Sequence, residues 1–155
     1  MKFIGPSVHA EAQCEQVLRS LPLWFGIEEA LLEYAQATTQ LPTFAAVESE
    51  QVVGFVSLRQ HFLKSWELHC IAVHADARCK GLGRAMHTHA EQWLAAQGAQ
   101  LLQVKTLAAS HPSPEYAQTR VFYERMGYVP LEVFPELWAP HLPVLQLVKR
   151  LRGEG

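Results

Sequence analysis

Residues Arg78, Cys79, Lys80, Gly81, Leu82, Gly83 and Arg84 set two glycines among three cations, a spacing suited to holding an anion. Glycine lets the backbone curl so that several amide N–H groups point one way, and a helix opening there adds the positive end of its dipole. With Arg78, Lys80 and Arg84 around that concavity, the expected occupant carries more than one negative charge, as a pyrophosphate does. Two familiar pyrophosphate motifs do not fit. The dinucleotide fingerprint G-x-G-x-x-G needs Gly or Ala at its sixth place, where this chain has Met86, too long for close helix-to-sheet packing. The sequence G-x-x-x-x-G-K-[ST] is absent, and with it the lysine and hydroxyl that manage a nucleoside triphosphate and its magnesium.

What fits is R/Q-x-x-G-x-G/A between a strand and a helix. Arg78 to Gly83 supplies every specified position, and a run of the form F-Y-E-x-x-G-F follows at Phe122-Tyr123-Glu124-Arg125-Met126-Gly127-Tyr128. In this order and spacing the pair resembles the GNAT superfamily of acetyl-CoA-dependent N-acetyltransferases, over roughly the whole chain and most firmly over residues 66 to 128. The resemblance implies acetyl-CoA as co-substrate, its pyrophosphate on Arg78, Cys79, Lys80, Gly81, Leu82, Gly83 and Arg84, and acetyl transfer straight to an amine. It also implies an α/β fold: a GNAT-like mixed, mostly antiparallel sheet with a central splayed parallel strand pair, flanked by helices on both faces.

Aminolysis of a thioester needs a neutral amine, and a lysine-type amine, with a free pKa of about 10.4, is mostly protonated at neutral pH. A base is therefore expected. Glu67 stands fourteen residues before Gly81, the spacing at which some GNAT members, histone acetyltransferases among them, carry a base glutamate. His69, two residues on, shares its side of the strand and is the reserve base or relay. Coenzyme A leaves as a thiolate whose conjugate acid has a pKa of about 8.5, so a proton donor lowers the barrier, and Tyr123 matches the family's acid. The backbone N–H groups of Ile71, Ala72 and Val73 are the family's polarising donors for the acetyl carbonyl. Where many members place Asn to contact the cofactor arm, this chain has Tyr116; on one helix face with Arg120 and Tyr123, it is expected to line the pantetheine channel.

Other chemistry is poorly supported. Cys79 between two cations is a conceivable nucleophile, but the family pattern specifies no residue there. His87 and His89 diverge on a helix and no H-E-x-x-H occurs, so no metal is expected,.

The elements that must position these groups can be read from the same letters. A chain of 155 residues that is 49% hydrophobic suits one domain, 1–155, with a core of its own,. The net charge of -2 argues against general attraction to nucleic acid or to anionic membrane,. Three cysteines without C-x-x-C spacing, and an N-terminus without an apolar stretch of signal length, point to a reducing cytoplasm,. Helices are expected from the Ser7 cap to Pro22 and over 27–37, a pair that in the family forms part of the acceptor wall. The strand-rich run continues through a hairpin of 44–47 with 51–61 and a central strand 66–73. A helix over 84–97 and a strand over 101–107, parallel to 66–73, complete a right-handed crossover. The Ser113-Pro114-Glu115 start opens a helix ended by Gly127. Strands 128–134 and 144–151 follow, with Pro135, Pro140 and Pro143 in the connection. The acceptor expected is a small-molecule or peptide amine, with a homodimer left open as the assembly state. A binding module that senses acyl-CoA without turnover is the alternative reading.

Overall fold

The computed structural model describes residues 1–151. Its seven strands are β1 (Lys2–Ile4), β2 (Thr43–Glu48), β3 (Gln51–Phe62), β4 (Ser65–Val73), β5 (Leu101–Leu107), β6 (Val129–Ala139) and β7 (Leu142–Arg150). They form one sheet in the order β1-β2-β3-β4-β5-β7-β6, with β4 at its centre. All neighbours are antiparallel except β4 and β5. The helices are α1 (Glu11–Arg19), α2 (Glu28–Ala37), α3 (Leu82–Ala96) and α4 (Pro114–Arg125). Each face of the sheet has its own core. Leu18, Leu31 and Phe55 lie in the core under α1 and α2, and Met86, Leu94, Leu102 and Tyr123 in the core under α3 and α4. Among the described residues no helix is long and apolar enough to cross a membrane.

Local chemistry explains most of the boundaries. Ser49 and Glu50 adopt φ of 50° and 65°, the paired left-handed turn that matches hairpin twist between β2 and β3,. Ser113 caps α4, its hydroxyl accepting from the Tyr116 amide at 3.3 Å, with Pro114 at the first helical position,. Gly98 (φ 83°) and Gly127 (φ 95°) close α3 and α4,.

Three expectations need correction. The first helix begins at Glu11, not after Ser7, because the Pro6 carbonyl accepts the Thr43 amide (2.9 Å) and Val8 is buried beneath α1, holding residues 6–10 against the sheet. The N-terminal residues also supply a strand, β1, that three residues of local pattern do not announce. The last two strands run further than their prolines suggest, with only Pro140 and His141 (φ 71°) between them. Proline is tolerated at a sheet edge, where no partner needs its missing N–H; β6 is that edge, and Pro135 sits where its register with β7 shifts.

The decisive irregularity lies in β4. Its register against β3 passes from Leu58↔Leu68 to Ser57↔Cys70, leaving His69 as an extra residue. Side chains on a strand alternate faces, and the bulge breaks that alternation: Trp66 and Leu68 enter the core under α3, whereas Cys70 and Ala72 enter the core under α1 and α2. Bulges bend a strand and sharpen its twist. Here β4 and β5 pair only over Ser65–Glu67 and Leu101–Gln103, then part.

Candidate active site

Where β4 and β5 part, a cleft of about 570 Å³ opens between the sheet, the start of α3, α4 and the α1–α2 connection. One hydrogen bond sets the phase of the main chain along its wall. The His74 amide donates to the Val53 carbonyl at 2.8 Å, and amides alternate sides along an antiparallel ladder. The Ala72 amide therefore points at β3 with that of His74, while the amides of Ile71 and Val73 point into the opening, past the end of the β4–β5 pairing. Of the three expected donors, two face the cleft and Ala72 contributes only its side chain to the wall.

After β4 a short 3-10 turn, Ala75–Ala77, leads into the glycine loop. Cys79 and Gly81 both adopt left-handed φ, 64° and 77°. Gly81 caps α3 with no side chain, its carbonyl accepting the Ala85 amide at 3.1 Å. The amides of Leu82, Gly83 and Arg84 precede that first helical bond and have no acceptor within the helix, and no acid occupies the first turn,. A Cβ on Gly81 would meet nothing within 4 Å, so what demands glycine there is the backbone angle and the open concavity in front of it. A Cβ on Gly83 would sit 3.6 Å from the Phe122 ring. Arg78, Cys79, Gly81, Leu82, Gly83 and Arg84 all line the cleft. Lys80 is exposed and off the lining.

Helix α4 forms the opposite bank. Tyr123 is 5% exposed, packed at 5.4 Å between the rings of Phe122 and Tyr128, and lines the cleft. Burial, reinforced by neighbouring Cys70, Tyr34 and Tyr116, pushes its hydroxyl far above the ordinary tyrosine range; it stays protonated and so has a proton to donate. The hydroxyls of its neighbours are committed, Tyr128 to His87 Nε2 (2.7 Å) and Tyr116 to the Trp24 carbonyl (2.7 Å). That of Tyr123 has no partner among the described residues.

Tyr116 lines the cleft as expected, but its hydroxyl fastens the α1–α2 connection to α4. Trp24 completes the clasp, its indole N–H shared between the Thr119 hydroxyl (3.1 Å) and the Glu115 carbonyl (3.2 Å). The Arg78 guanidinium lies over the Trp24 ring, 4.3 Å from its centroid,. Arg120 is directed elsewhere: its guanidinium donates to the Leu107 carbonyl at 2.8 Å, anchoring the end of β5, and it does not line the cleft.

Glu67 and His69 do share a side of β4, yet the structure treats them differently. The Glu67 carboxylate lies off the lining, with Oε1 2.6 Å from His61 Nε2 and Oε2 3.3 Å from Lys105 Nζ. His69 lines the cleft with its ring 5.2 Å from that of Tyr34. Burial, and then the nearby Arg59 charge, hold its pKa below the ordinary histidine value, so the ring is neutral and able to accept a proton at neutral pH. His61 and Lys105 are the partners that sequence reasoning missed. The hairpin joining β3 to β4 was the available signal for His61, because it returns the chain past Glu67 within a few residues.

The sequence matches the model of the acetyltransferase (GNAT) family over residues 11–128. Among solved structures, a GNAT-family protein from Desulfovibrio desulfuricans superposes at TM-score 0.84 with 19% identity, covering 97% of this chain and 99% of the other. An aminoglycoside 6'-N-acetyltransferase complexed with coenzyme A superposes at 0.75 with 19% identity, covering 100% and 99%. The ribosomal-protein-S18-alanine N-acetyltransferase of Escherichia coli superposes at 0.80 with 16% identity, covering 99% and 96%. No curated protein sequence matches this chain.

Proposed function

This chain belongs to the GNAT family of acetyltransferases, and from that premise we propose that it transfers an acetyl group from acetyl-CoA directly to a primary amine of a small molecule or peptide, as a single catalytic domain over residues 1–155. The observation that carries this reading is the β4–β5 splay with an open amide cradle at its head. The residues present fit a coenzyme A arm: unpaired amides at the start of α3, a glycine whose missing side chain keeps the concavity clear, and Arg78 beside it,. Acetyl-CoA, when bound, supplies the activated acyl group. The chain's own groups do the rest. Amides of Leu82, Gly83 and Arg84 hold diphosphate; those of Ile71 and Val73 polarise the acyl carbonyl; the Tyr123 hydroxyl donates a proton to the leaving sulfur.

His69 faces the amine from the cleft wall and accepts its proton. Glu67, tied to His61 and Lys105, is the carboxylate behind it, reached through water. The depressed His69 pKa has a testable sign. Between that value and the ordinary one of about 6.5 the unfolded chain binds the more protons, so its contribution to stability rises with pH through that window and falls away as pH drops. NMR titration of the His69 ring should show a midpoint below about 6.5. A midpoint above it would leave the ring charged near neutrality and exclude this role.

Acceptor-dependent release of free thiol from acetyl-CoA tests the activity itself. Binding of acetyl-CoA without release for any amine would instead favour the acyl-CoA sensor, for which Tyr116, clasped to Trp24 where relatives contact the cofactor arm, is the supporting observation.

A further inference from the structure

The charge around the cleft runs one way. Among the described residues no Asp or Glu lines it, and the charged side chains that do are Arg78, Arg84, Lys105 and Arg125. The nearest carboxylate on the β4 side, Glu67, is off the lining and already faced by two bases. An acceptor with several ammonium groups would carry its unreacted charges into a wall without a carboxylate to receive them, at a cost in desolvation and like-charge repulsion. Shape and polarity point to something else. Phe25 and Tyr34 meet edge to face at 5.7 Å, Tyr34 abuts His69, and Trp138 closes the far side from the β6–β7 hairpin. These rings offer an apolar, aromatic-lined seat,.

Lys105 stands on the cleft floor, 26% exposed at its side chain, on the same side of the sheet as Glu67 and His69. Its contacts to Glu67 are long, 3.3 and 3.5 Å, whereas His61 holds the same carboxylate at 2.6 Å. An ammonium has three donors, so Lys105 retains capacity to bond an anion arriving from the cleft.

Resting on the acetyl-transfer reading, we infer that the acceptor is a monoamine with an aromatic body and a carboxylate, the chemistry of an aromatic α-amino acid, with Lys105 receiving the carboxylate and the Phe25, Tyr34 and Trp138 rings the side chain. The attacking nitrogen forms the amide bond as the thioester C–S bond breaks. Its proton passes to His69, and the sulfur departs as thiol with the proton from Tyr123.

The test is a panel assayed for thiol release from acetyl-CoA. It contains phenylalanine and tryptophan, their decarboxylated amines phenylethylamine and tryptamine, alanine, spermidine and kanamycin. The aromatic amino acids should exceed their decarboxylated counterparts, alanine and both polycations in kcat/KM by about tenfold or more, the effect of one charge-assisted bond or one filled apolar site. Lys105→Gln should reduce the ratio of amino acid to decarboxylated amine by about tenfold, chiefly through KM, and Lys105→Arg should retain much of it. Faster turnover of spermidine or kanamycin, or a ratio indifferent to Lys105→Gln in a protein that still binds acetyl-CoA, overturns the acceptor assignment alone. Release with no amine on the panel overturns the assignment together with the acetyl-transfer reading beneath it.

Discussion

Tyr123→Phe is expected to lower kcat by about 100-fold, the lower range for loss of a positioned general acid, while leaving the Kd for coenzyme A within about twofold. The separation follows from the surroundings of the hydroxyl. Its ring is held by Phe122 and Tyr128, contacts that phenylalanine keeps, and the oxygen bonds to nothing else in the described chain, so removing it breaks no internal hydrogen bond. Steady-state kinetics beside calorimetry would show the split, and parallel losses in turnover, affinity and melting temperature would assign the residue to packing instead. Because burial keeps this hydroxyl protonated far above the working range, any alkaline fall in activity below about pH 10 should persist in the variant.

Gly81→Val is expected to raise the Kd for coenzyme A by at least about tenfold in a protein that still folds. Two effects are combined in that substitution, and Gly98 separates them. Both glycines have left-handed φ, 77° and 83°, and at both a Cβ would find nothing within 4 Å; a β-branched residue therefore suffers similar backbone strain at each, of about 1–2 kcal/mol. They stand at opposite ends of α3, and only Gly81 faces the cleft. Gly98→Val should lose similar stability in denaturant titration and bind coenzyme A normally. Equal affinities in the two variants would show that the concavity before α3 is not where the ligand sits.

The glycine loop, α3 and β5 were legible because the information is local. Glycines mark the left-handed turns, apolar residues recur at helical spacing, and a strand after a helix after a strand constrains handedness. The resemblance carried by Arg78–Gly83 and Phe122–Tyr128 then implied the splayed sheet that the structure shows. Less legible were features set by distant partners. Nothing near Lys2–Ile4 says that β2 will accept it as a strand, and nothing near Pro135 says that β6 is an edge. Tyr116 could be placed on the cleft from helix periodicity, but its bond to Trp24 joins residues 92 apart in sequence. Arg120 satisfied the same periodicity and turned to Leu107 instead, since a long side chain on one helix face can reach either the cleft or the neighbouring strand. Glu67 was found by its spacing and His69 by alternation. Their division of labour, one drawn off by His61 and Lys105 and the other left facing the opening, depends on β3 and β5 together.

The extra residue at position 69 serves the opening between β4 and β5 rather than the packing on either face of the sheet. Upstream of it the even-numbered side chains serve one core, and downstream the other. Removing that one residue would restore strict alternation, with Cys70 and Ala72 on the face they already occupy, and would take away the bulge that bends β4 where it parts from β5,. Partition of the interior is thus indifferent to this residue while access to the reaction centre depends on it, so its loss should cost activity before it costs stability.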